Sequence, residues 1–219
     1  MDLKLIDDDT RKEVKKRLSE MQSEVRLLFF SSNDNCAYCP QAKQLLEELA
    51  SLDKKLKLEV YDINEDKEKA DEHEIKLVPA LVLLGKEKGK IRFFGLPVGY
   101  EFASMLADII DVSTGTPSLP HYIIEKVRAI DFKVHIKVFA TPTCPYCPGA
   151  VKLAHDFAIL NANITADMIE ISEYPELADK YEIQGVPKTV INDKVSFVGG
   201  QPPELLLSKI MEVRSTTQG

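Results

Sequence analysis

The sequence predicts an α/β protein in which one unit, a helix followed by β-α-β-α-β-β-α, is present twice. The first observation is a pair of Cys-x-x-Cys motifs that lie 108 positions apart. The second is a Val-Pro dipeptide whose proline, Pro79 or Pro187, follows each motif by 40 positions. The third is the alternation of short apolar runs with helical patterns around both motifs, which is typical of α/β folds. Together they indicate an internal repeat. The motifs contain all four cysteines of the chain: Cys36, Cys39, Cys144 and Cys147.

The composition is that of a globular protein, with 219 residues, 44% of them hydrophobic and 29% charged. We predict two units, residues 1–115 and 116–219, each long enough for a modest core. The net charge of −7 argues against nucleic-acid binding, which needs a basic face. The sequence has neither a secretion signal nor the roughly 18 to 20 consecutive apolar residues that span a bilayer. We therefore expect a cytoplasmic protein with no membrane or nucleic-acid partner.

The first part of each unit is predicted from helical and strand-like spacing. Apolar residues at helical spacing form an opening helix, and acidic residues precede the first of these helices. A short apolar strand, a polar turn and the cysteine pair follow, and a second apolar helical pattern comes after the pair. The helix positions are Val14, Leu18, Met21, Leu45, Leu46 and Leu49 in the first unit, and Ile123, Val127, Ile130, Val151, Ala154 and Phe157 in the second. The strands are residues 25–30 and 134–139.

The second part of each unit contains a strand that ends in a carboxylate, a short polar helix, two further strands and a closing amphipathic helix. The offset between the units falls to 104 at the last strand, so the first unit has four extra residues near 85–89, where a turn should tolerate them. Residues 113–118 form the predicted boundary, which is too short for the units to move freely. The predicted segments are 58–62, 80–84, 90–95 and 101–110, and then 168–170, 188–191, 194–199 and 204–213.

The cysteine pairs predict thiol chemistry. A thiolate is the nucleophile in disulfide exchange, and a free thiol with a pKa near ~8.5 is mostly protonated at neutral pH. A position at a helix N-terminus stabilises the thiolate through unsatisfied N–H groups and the helix dipole. We therefore expect Cys36 and Cys144 to attack a partner's disulfide, and Cys39 and Cys147 to resolve the mixed disulfide.

The residues between the cysteines differ, Ala37-Tyr38 in one motif and Pro145-Tyr146 in the other. Proline fixes φ and removes an N–H that would otherwise be near the sulfur. We expect the two sites to have different reduction potentials for this reason.

The two Val-Pro dipeptides are predicted to bind substrate. An X-Pro bond at a strand start is usually trans, but the repeated 40-residue spacing favours cis bonds at Val78-Pro79 and Val186-Pro187. The backbone groups of Val78 and Val186 would then pair with an extended substrate beside the cysteines.

Two carboxylates at equivalent strand ends, Asp62 and Glu170, are candidates for proton transfer below the resolving cysteine. The alternative is that they are ordinary carboxylates facing solvent. The histidines do not repeat at the 108-residue offset, and we interpret them as surface or packing residues.

The motif Cys-Pro-Tyr-Cys at 144–147, with Gly185-Val186-Pro187 and the Phe-Val-Gly-Gly segment at 197–200, resembles a glutaredoxin. The motif at 36–39, with Val78-Pro79, resembles a thioredoxin-fold unit of the same kind. Two such units in one chain resemble the protein disulfide oxidoreductases of thermophilic archaea and bacteria. This resemblance implies two tandem thioredoxin-like folds with central mixed sheets joined edge to edge, and cis prolines. It also implies reduction, oxidation and isomerisation of client protein disulfides without a bound cofactor, and a thioredoxin-reductase-like flavoprotein as electron donor.

Some positions depart from these families. Gln201 and two prolines replace the acidic residues that hold glutathione in glutaredoxins. Phe30 and Val138 occupy the position of the buried acid of thioredoxins. The chain has no further segment for a flavin, so we expect it to differ from larger peroxide-reducing flavoproteins that begin with two similar units.

Two alternatives have different sequence requirements. A single zinc ion held by all four cysteines would use pairs normally separated by about 15 to 20 residues, far fewer than separate these pairs. We therefore expect no metal. The other alternative is a scaffold or chaperone in which one or both pairs are structural, but each pair retains both cysteines.

Overall fold

A computed structural model describes residues 4–216, within which there are eight α-helices, eight strands and one short 3₁₀ helix. The first unit contains α1 (Asp8–Leu18), β1 (Val25–Ser31), α2 (Cys39–Ala50), β2 (Leu56–Asp62), α3 (Lys67–Glu72), β3 (Ala80–Leu84), β4 (Lys90–Phe94) and α4 (Tyr100–Thr114). The second contains α5 (His121–Arg128), β5 (Val134–Ala140), α6 (Cys147–Leu160), β6 (Ile164–Glu170), the 3₁₀ helix (Ile171–Glu173), α7 (Pro175–Lys180), β7 (Lys188–Ile191), β8 (Val195–Val198) and α8 (Pro203–Thr216).

The predicted order of elements is confirmed, and some of the predicted helix ends are wrong. Met21 and Ile130 are buried, but each lies beyond the end of its opening helix. Helix α4 continues past the predicted end to Thr114 and stops at Gly115, whose left-handed conformation (φ 71°) is inexpensive for glycine. Spacing alone did not place the ends of α1 and α5, because apolar residues in a turn can be buried against the same core as a helix.

One mixed sheet crosses both units, in the order β2-β1-β3-β4-β6-β5-β7-β8. Within each unit the first two strands are parallel and the last two pair antiparallel. The units join where β4 pairs in parallel with β6, from Lys90 opposite Thr165 to Phe94 opposite Ile169. The expectation of mixed sheets joined edge to edge is confirmed. The division at residue 115 stays a prediction, since sheet and core are continuous across it.

The two faces of the sheet have separate apolar cores. One face packs against α1, α2, α4, α5, α6 and α8 in a single cluster that spans both units. The other face is covered by α3, α7 and the segments beside them. Both cysteine-bearing helices, α2 and α6, therefore lie on the same face of the sheet.

The unit junction contains a buried ion pair. Arg92 on β4 and Asp167 on β6 are each 3% exposed, and the guanidinium donates to the carboxylate at 2.7 and 2.9 Å. His135 approaches the same carboxylate at 2.5 Å. Burial alone would raise the pKa of Asp167, but the hydrogen bond with His135 and the charge and hydrogen bonds of Arg92 outweigh it, so this pKa is lowered. These residues line a cleft of about 640 Å³ on the face opposite the cysteine helices.

The extra residues of the first unit have a structural role that the sequence did not predict. Their turn lies against the end of α6, where Lys88 N donates to Ile159 O at 3.1 Å and Gly89 N donates to Ala158 O at 2.9 Å. The last carbonyls of a helix have no partner within it. The insertion lies between β3 and β4, as expected, and it also caps a helix of the other unit.

Across residues 4–216, the helices lack the combination of length and apolarity that a bilayer crossing requires.

Candidate active site

Both cysteine pairs are disulfides that lie between a strand and a helix. Cys36 is bonded to Cys39 and Cys144 to Cys147, with Cα–Cα distances of 5.4 and 5.5 Å. Each helix begins at the second cysteine, and a proline occupies its next position. A proline in the first helical turn is favourable because it has no N–H to leave unsatisfied. The first cysteine of each pair therefore lies in the turn that leads into the helix.

The two sulfurs of each pair differ in exposure. Cys36 is partly exposed, while Cys39 is only 4% exposed. In the second pair Cys144 is 8% exposed and Cys147 is fully buried. A partner can thus approach the first cysteine more readily than the second. Exposed tyrosines follow the first cysteines by two positions, with Tyr38 44% and Tyr146 73% exposed.

Both Val-Pro bonds are cis, as the repeated spacing predicted. At the second pair Cys144 Sγ lies 3.7 Å from Val186 O, so this loop touches the sulfur. At the first pair Ala80 is opposite Phe30, which places Pro79 beside the end of β1, from which the chain turns to Cys36. A glycine of the following strand end donates to each proline carbonyl, Gly95 to Pro79 at 2.9 Å and Gly199 to Pro187 at 2.8 Å.

The two predicted proton-transfer carboxylates accept hydrogen bonds from backbone N–H groups. Asp62 accepts from Asn64 N at 2.8 Å and from Asn33 N at 3.2 Å. Glu170 is 3% exposed and accepts from the backbone N–H groups of Ser172 and Glu173 at 3.2 and 3.1 Å. These bonds are those of side chains that cap a turn. A role in proton transfer stays a prediction for both.

A buried acid that the sequence did not reveal lies at the start of α4. Glu101 is 1% exposed and accepts from Ser104 Oγ at 2.7 Å. Burial raises the pKa of Glu101 to about 7, because the hydrogen bond from Ser104 and the charge of His155 offset only part of the lost hydration. The preceding residue, Tyr100, donates its N–H to Pro142 O at 3.0 Å, in the turn that leads to Cys144.

Glu101 belongs to a buried polar layer between α4 and α6. His155 Nδ1 lies 2.6 Å from Asp108 Oδ2, and both residues are fully buried. Lys152 forms ion pairs with the carboxylates of Asp108, Asp111 and Asp156. Burial disfavours the Lys152 charge, but the three carboxylates outweigh it and raise the pKa of the lysine. No pattern in the sequence indicated this layer, because it forms where α4 of the first unit packs against α6 of the second.

The four sulfurs do not converge on one point. Strands β3, β4 and β6 lie between β1 and β5, which carry the two pairs, so about 19 Å of sheet separates the sites at ~4.8 Å per strand. A single zinc ion binds sulfur at about 2.3 Å. Within residues 4–216, no group of three or more His, Cys, Asp or Glu side chains is arranged to hold a metal ion.

Comparison with known proteins identifies the same unit twice. The thioredoxin domain family matches residues 24–107 and 134–212. A protein disulfide oxidoreductase from Aeropyrum pernix has a similar structure, with a TM-score of 0.87 and 32% identity over 94% of this chain and 92% of that one. A mutant of the alkylhydroperoxide reductase AhpF of Enterococcus faecalis gives a TM-score of 0.86 and 26% identity over 93% and 98% of the two chains.

Curated sequence relatives are longer than this chain. An alkyl hydroperoxide reductase of Staphylococcus aureus is 26% identical over 208 residues, which are 94% of this chain and 38% of that protein. An NADH dehydrogenase of Bacillus subtilis is 27% identical over 168 residues, which are 76% of this chain and 30% of that protein. The chain thus spans about a third of the length of these relatives.

Proposed function

The chain belongs to the thioredoxin domain family, and we propose that it exchanges disulfides with client proteins at both cysteine pairs. The observation that carries this proposal is the arrangement that occurs twice: a cysteine pair between a strand and a helix, with a cis-proline loop beside it. Similarity to a protein disulfide oxidoreductase over nearly the whole of both chains supports the reaction type.

In the reducing direction, the Cys36 thiolate attacks one sulfur of a client disulfide. A mixed disulfide forms, and the other client sulfur leaves with the electron pair and takes a proton. Cys39 then attacks Cys36, which releases the reduced client and leaves the pair oxidised. Cys144 and Cys147 perform the same steps at the second site. In the reverse direction, a client dithiol is oxidised and the pair is reduced, and isomerisation combines both directions on one client.

In each pair the first cysteine is more exposed than the second, which supports this division of roles. The contact of Cys144 with Val186 O supports client binding along the loops that contain Val78-Pro79 and Val186-Pro187. An extended client segment can pair with the backbone of Val78 or Val186, and this recognition does not depend on the client's side chains.

For proton transfer, Asp62 and Glu170 remain candidates, and we add Glu101 for the second site. A carboxyl that titrates near neutral pH can accept and return a proton at the operating pH. Glu101 has such a pKa and lies beside the turn of the second pair.

We further propose that a thioredoxin-reductase-like flavoprotein supplies electrons, in a cytoplasmic setting. The curated relatives support the electron donor. In them, a segment similar to this chain is part of a longer chain that is named as a reductase or a dehydrogenase. The clients are proteins that carry a disulfide or a dithiol.

The test compares reduction of insulin by dithiothreitol in the presence of four chains: the parent, Cys36→Ser/Cys39→Ser, Cys144→Ser/Cys147→Ser, and the chain that carries all four substitutions. We expect each single-site chain to retain activity, and the chain that lacks all four cysteines to have none. The monothiol variants Cys39→Ser and Cys147→Ser should accumulate mixed disulfides with insulin, detectable by mass. Insulin reduction that is unaffected by loss of all four cysteines would refute the proposal.

A further inference from the structure

A tyrosine of the second unit contacts the cis-proline loop of the first site. Tyr174 follows the 3₁₀ helix of the second unit and is 6% exposed. Its hydroxyl donates to Pro79 O at 3.3 Å, and the same carbonyl accepts from Gly95 N at 2.9 Å. The preceding residue, Glu173, accepts from Leu96 N at 2.7 Å through Oε1. Two consecutive residues of one unit therefore hold the loop and the adjoining strand end of the other.

This contact is not part of the repeat. The glycine bond is present at both sites, since Gly199 donates to Pro187 as Gly95 does to Pro79. The position equivalent to Tyr174 in the first unit is Asp66, whose carboxylate accepts from Asp62 N at 2.8 Å, inside its own unit. The tyrosine bond is thus an addition at the first site, which the joining of β4 to β6 makes possible.

We propose that Tyr174, supported by Glu173, is a positioning residue for the first site, so that client binding at Cys36 depends on the second unit. The inference rests on the proposed function, because Val78, one residue before the held carbonyl, is where the client backbone is expected to pair. Two donors on one carbonyl restrict rotation of the loop. A loop held in its binding conformation loses less freedom when the client binds.

The hydroxyl can be removed alone with Tyr174→Phe, in the chain that carries Cys144→Ser/Cys147→Ser and works only through the first site. We expect the KM for insulin to rise about two- to tenfold, as the loss of one hydrogen bond predicts. Reduction of a small aromatic disulfide such as Ellman's reagent should not change, since it does not pair with the loop. The same substitution in the Cys36→Ser/Cys39→Ser chain should leave insulin kinetics unchanged.

Tyr181→Phe is the matched control. It removes a phenol hydroxyl from the same unit, but that hydroxyl contacts Asp193 and Lys137, which lie within the second unit. Its effect on the first site should be absent.

A second measurement does not depend on activity. Hydrogen exchange at the Gly95 amide, which shares the Pro79 carbonyl, should become faster in Tyr174→Phe, while exchange at Gly199 should not change. Unchanged exchange at Gly95 together with an unchanged KM would overturn the positioning role, as would an equal rise in KM at both sites. If the single-site parent fails to reduce insulin, the proposed function fails, and faster exchange at Gly95 alone still supports the positioning role.

Discussion

At the scale of single residues, the most unusual group is the carboxyl of Glu101, which is almost completely buried and has a hydrogen-bond donor on only one of its oxygens among the described residues. Within the described residues its Oε1 atom has no hydrogen-bond donor, while Oε2 is bonded to Ser104. A buried carboxylate with one donor is poorly compensated, so its neutral form is favoured. Folding therefore works against the ionisation of this residue.

Replacing this carboxyl with an amide, Glu101→Gln, should change how stability depends on pH. The folded pKa of about 7 lies above the ordinary value of 4.5, so the wild-type chain loses stability as the pH rises between these values. A shift of this size corresponds to about 3 kcal/mol. We compare the free energy of unfolding of Glu101→Gln with that of wild type. The difference should change in favour of the variant by up to about 3 kcal/mol from pH 4.5 to pH 8. Urea unfolding at each pH measures it.

Glu176→Gln, which removes a carboxylate from an exposed position, serves as the control. Its stability should follow the wild-type pH curve. If Glu101→Gln and wild type also give parallel curves, Glu101 is not a buried acid with a raised pKa.

If Glu101 exchanges protons with the second site, the pH dependence of that site's insulin reduction should shift in Glu101→Gln, with no shift at the first site.

At the scale of elements, the inserted turn between β3 and β4 connects the two units. Gly89 lies so close to the end of α6 that a Cβ atom there would be 2.0 Å from Ile164 O and 2.6 Å from Asn161 O. Both neighbours are backbone atoms, which cannot move aside as a flexible side chain can. The glycine is therefore required by close approach of the two units.

Two glycine substitutions should have opposite effects on stability. Gly89→Ala should destabilise the chain by about 1–3 kcal/mol or more, because the added methyl overlaps backbone. Gly149→Ala should stabilise it by about 0.5–1 kcal/mol, because this residue lies in α6 and, among the described residues, nothing beyond its own stretch of helix comes within 4 Å of the added Cβ. Urea unfolding of the two variants measures both changes.

Effects of equal sign would contradict this assignment of the two glycines. A Gly89→Ala variant as stable as wild type would show that the turn does not press against α6. Gly149→Ala also controls for the general effect of removing a glycine from the unfolded chain.

At the scale of the whole molecule, both cysteine pairs lie at the same end of the strands of the sheet. Strand β1 is antiparallel to β3, β3 is antiparallel to β4, and β4 is parallel to β6 and so to β5. The cysteine turns follow β1 and β5, which run in the same direction. Both turns therefore lie at the carboxyl ends of these strands and on the same face of the sheet. The separation of about 19 Å or more prevents direct exchange between the two disulfides within one chain.

One client that carries two cysteines should therefore bridge the sites only when the cysteines are far enough apart. An extended chain covers about 3.3 Å per residue, so a spacing of at least about six residues is needed. The test uses the Cys39→Ser/Cys147→Ser chain and peptides whose two cysteines carry thionitrobenzoate. We expect long spacings to give one peptide linked twice, and spacings of about two residues to give two peptides per chain, as measured by intact mass.

The control is the same chain with Cys144→Ser added, which has one reactive cysteine and should accept a single link from every peptide. Bridging by the shortest peptides would contradict the separation of the sites. Absence of bridging at every length would contradict the placement of both cysteine pairs at the same end of the sheet.

The sequence by itself determined the repeated unit, the order of its elements, the cysteine pairs and the cis-proline loops. The physical reason is that these features depend on local patterns: motif spacing, apolar periodicity and turn residues all lie within one unit. Pro79 and Pro187 could be identified because the same distance from a cysteine occurs twice. Where helix ends were wrong, as at Met21 and Ile130, burial continued after the helix had stopped.

Only the tertiary structure decided what lies between the units. The pairing of β4 with β6 brings Arg92 to Asp167, the inserted turn to the end of α6, and Tyr174 to Pro79. The raised pKa of Glu101 likewise depends on which residues exclude water from it. None of these contacts repeats at the 108-residue offset, since each joins unlike parts of two similar units. A buried contact or a charge contact between distant segments leaves no local pattern in the sequence. It forms only when β4 of the first unit pairs with β6 of the second.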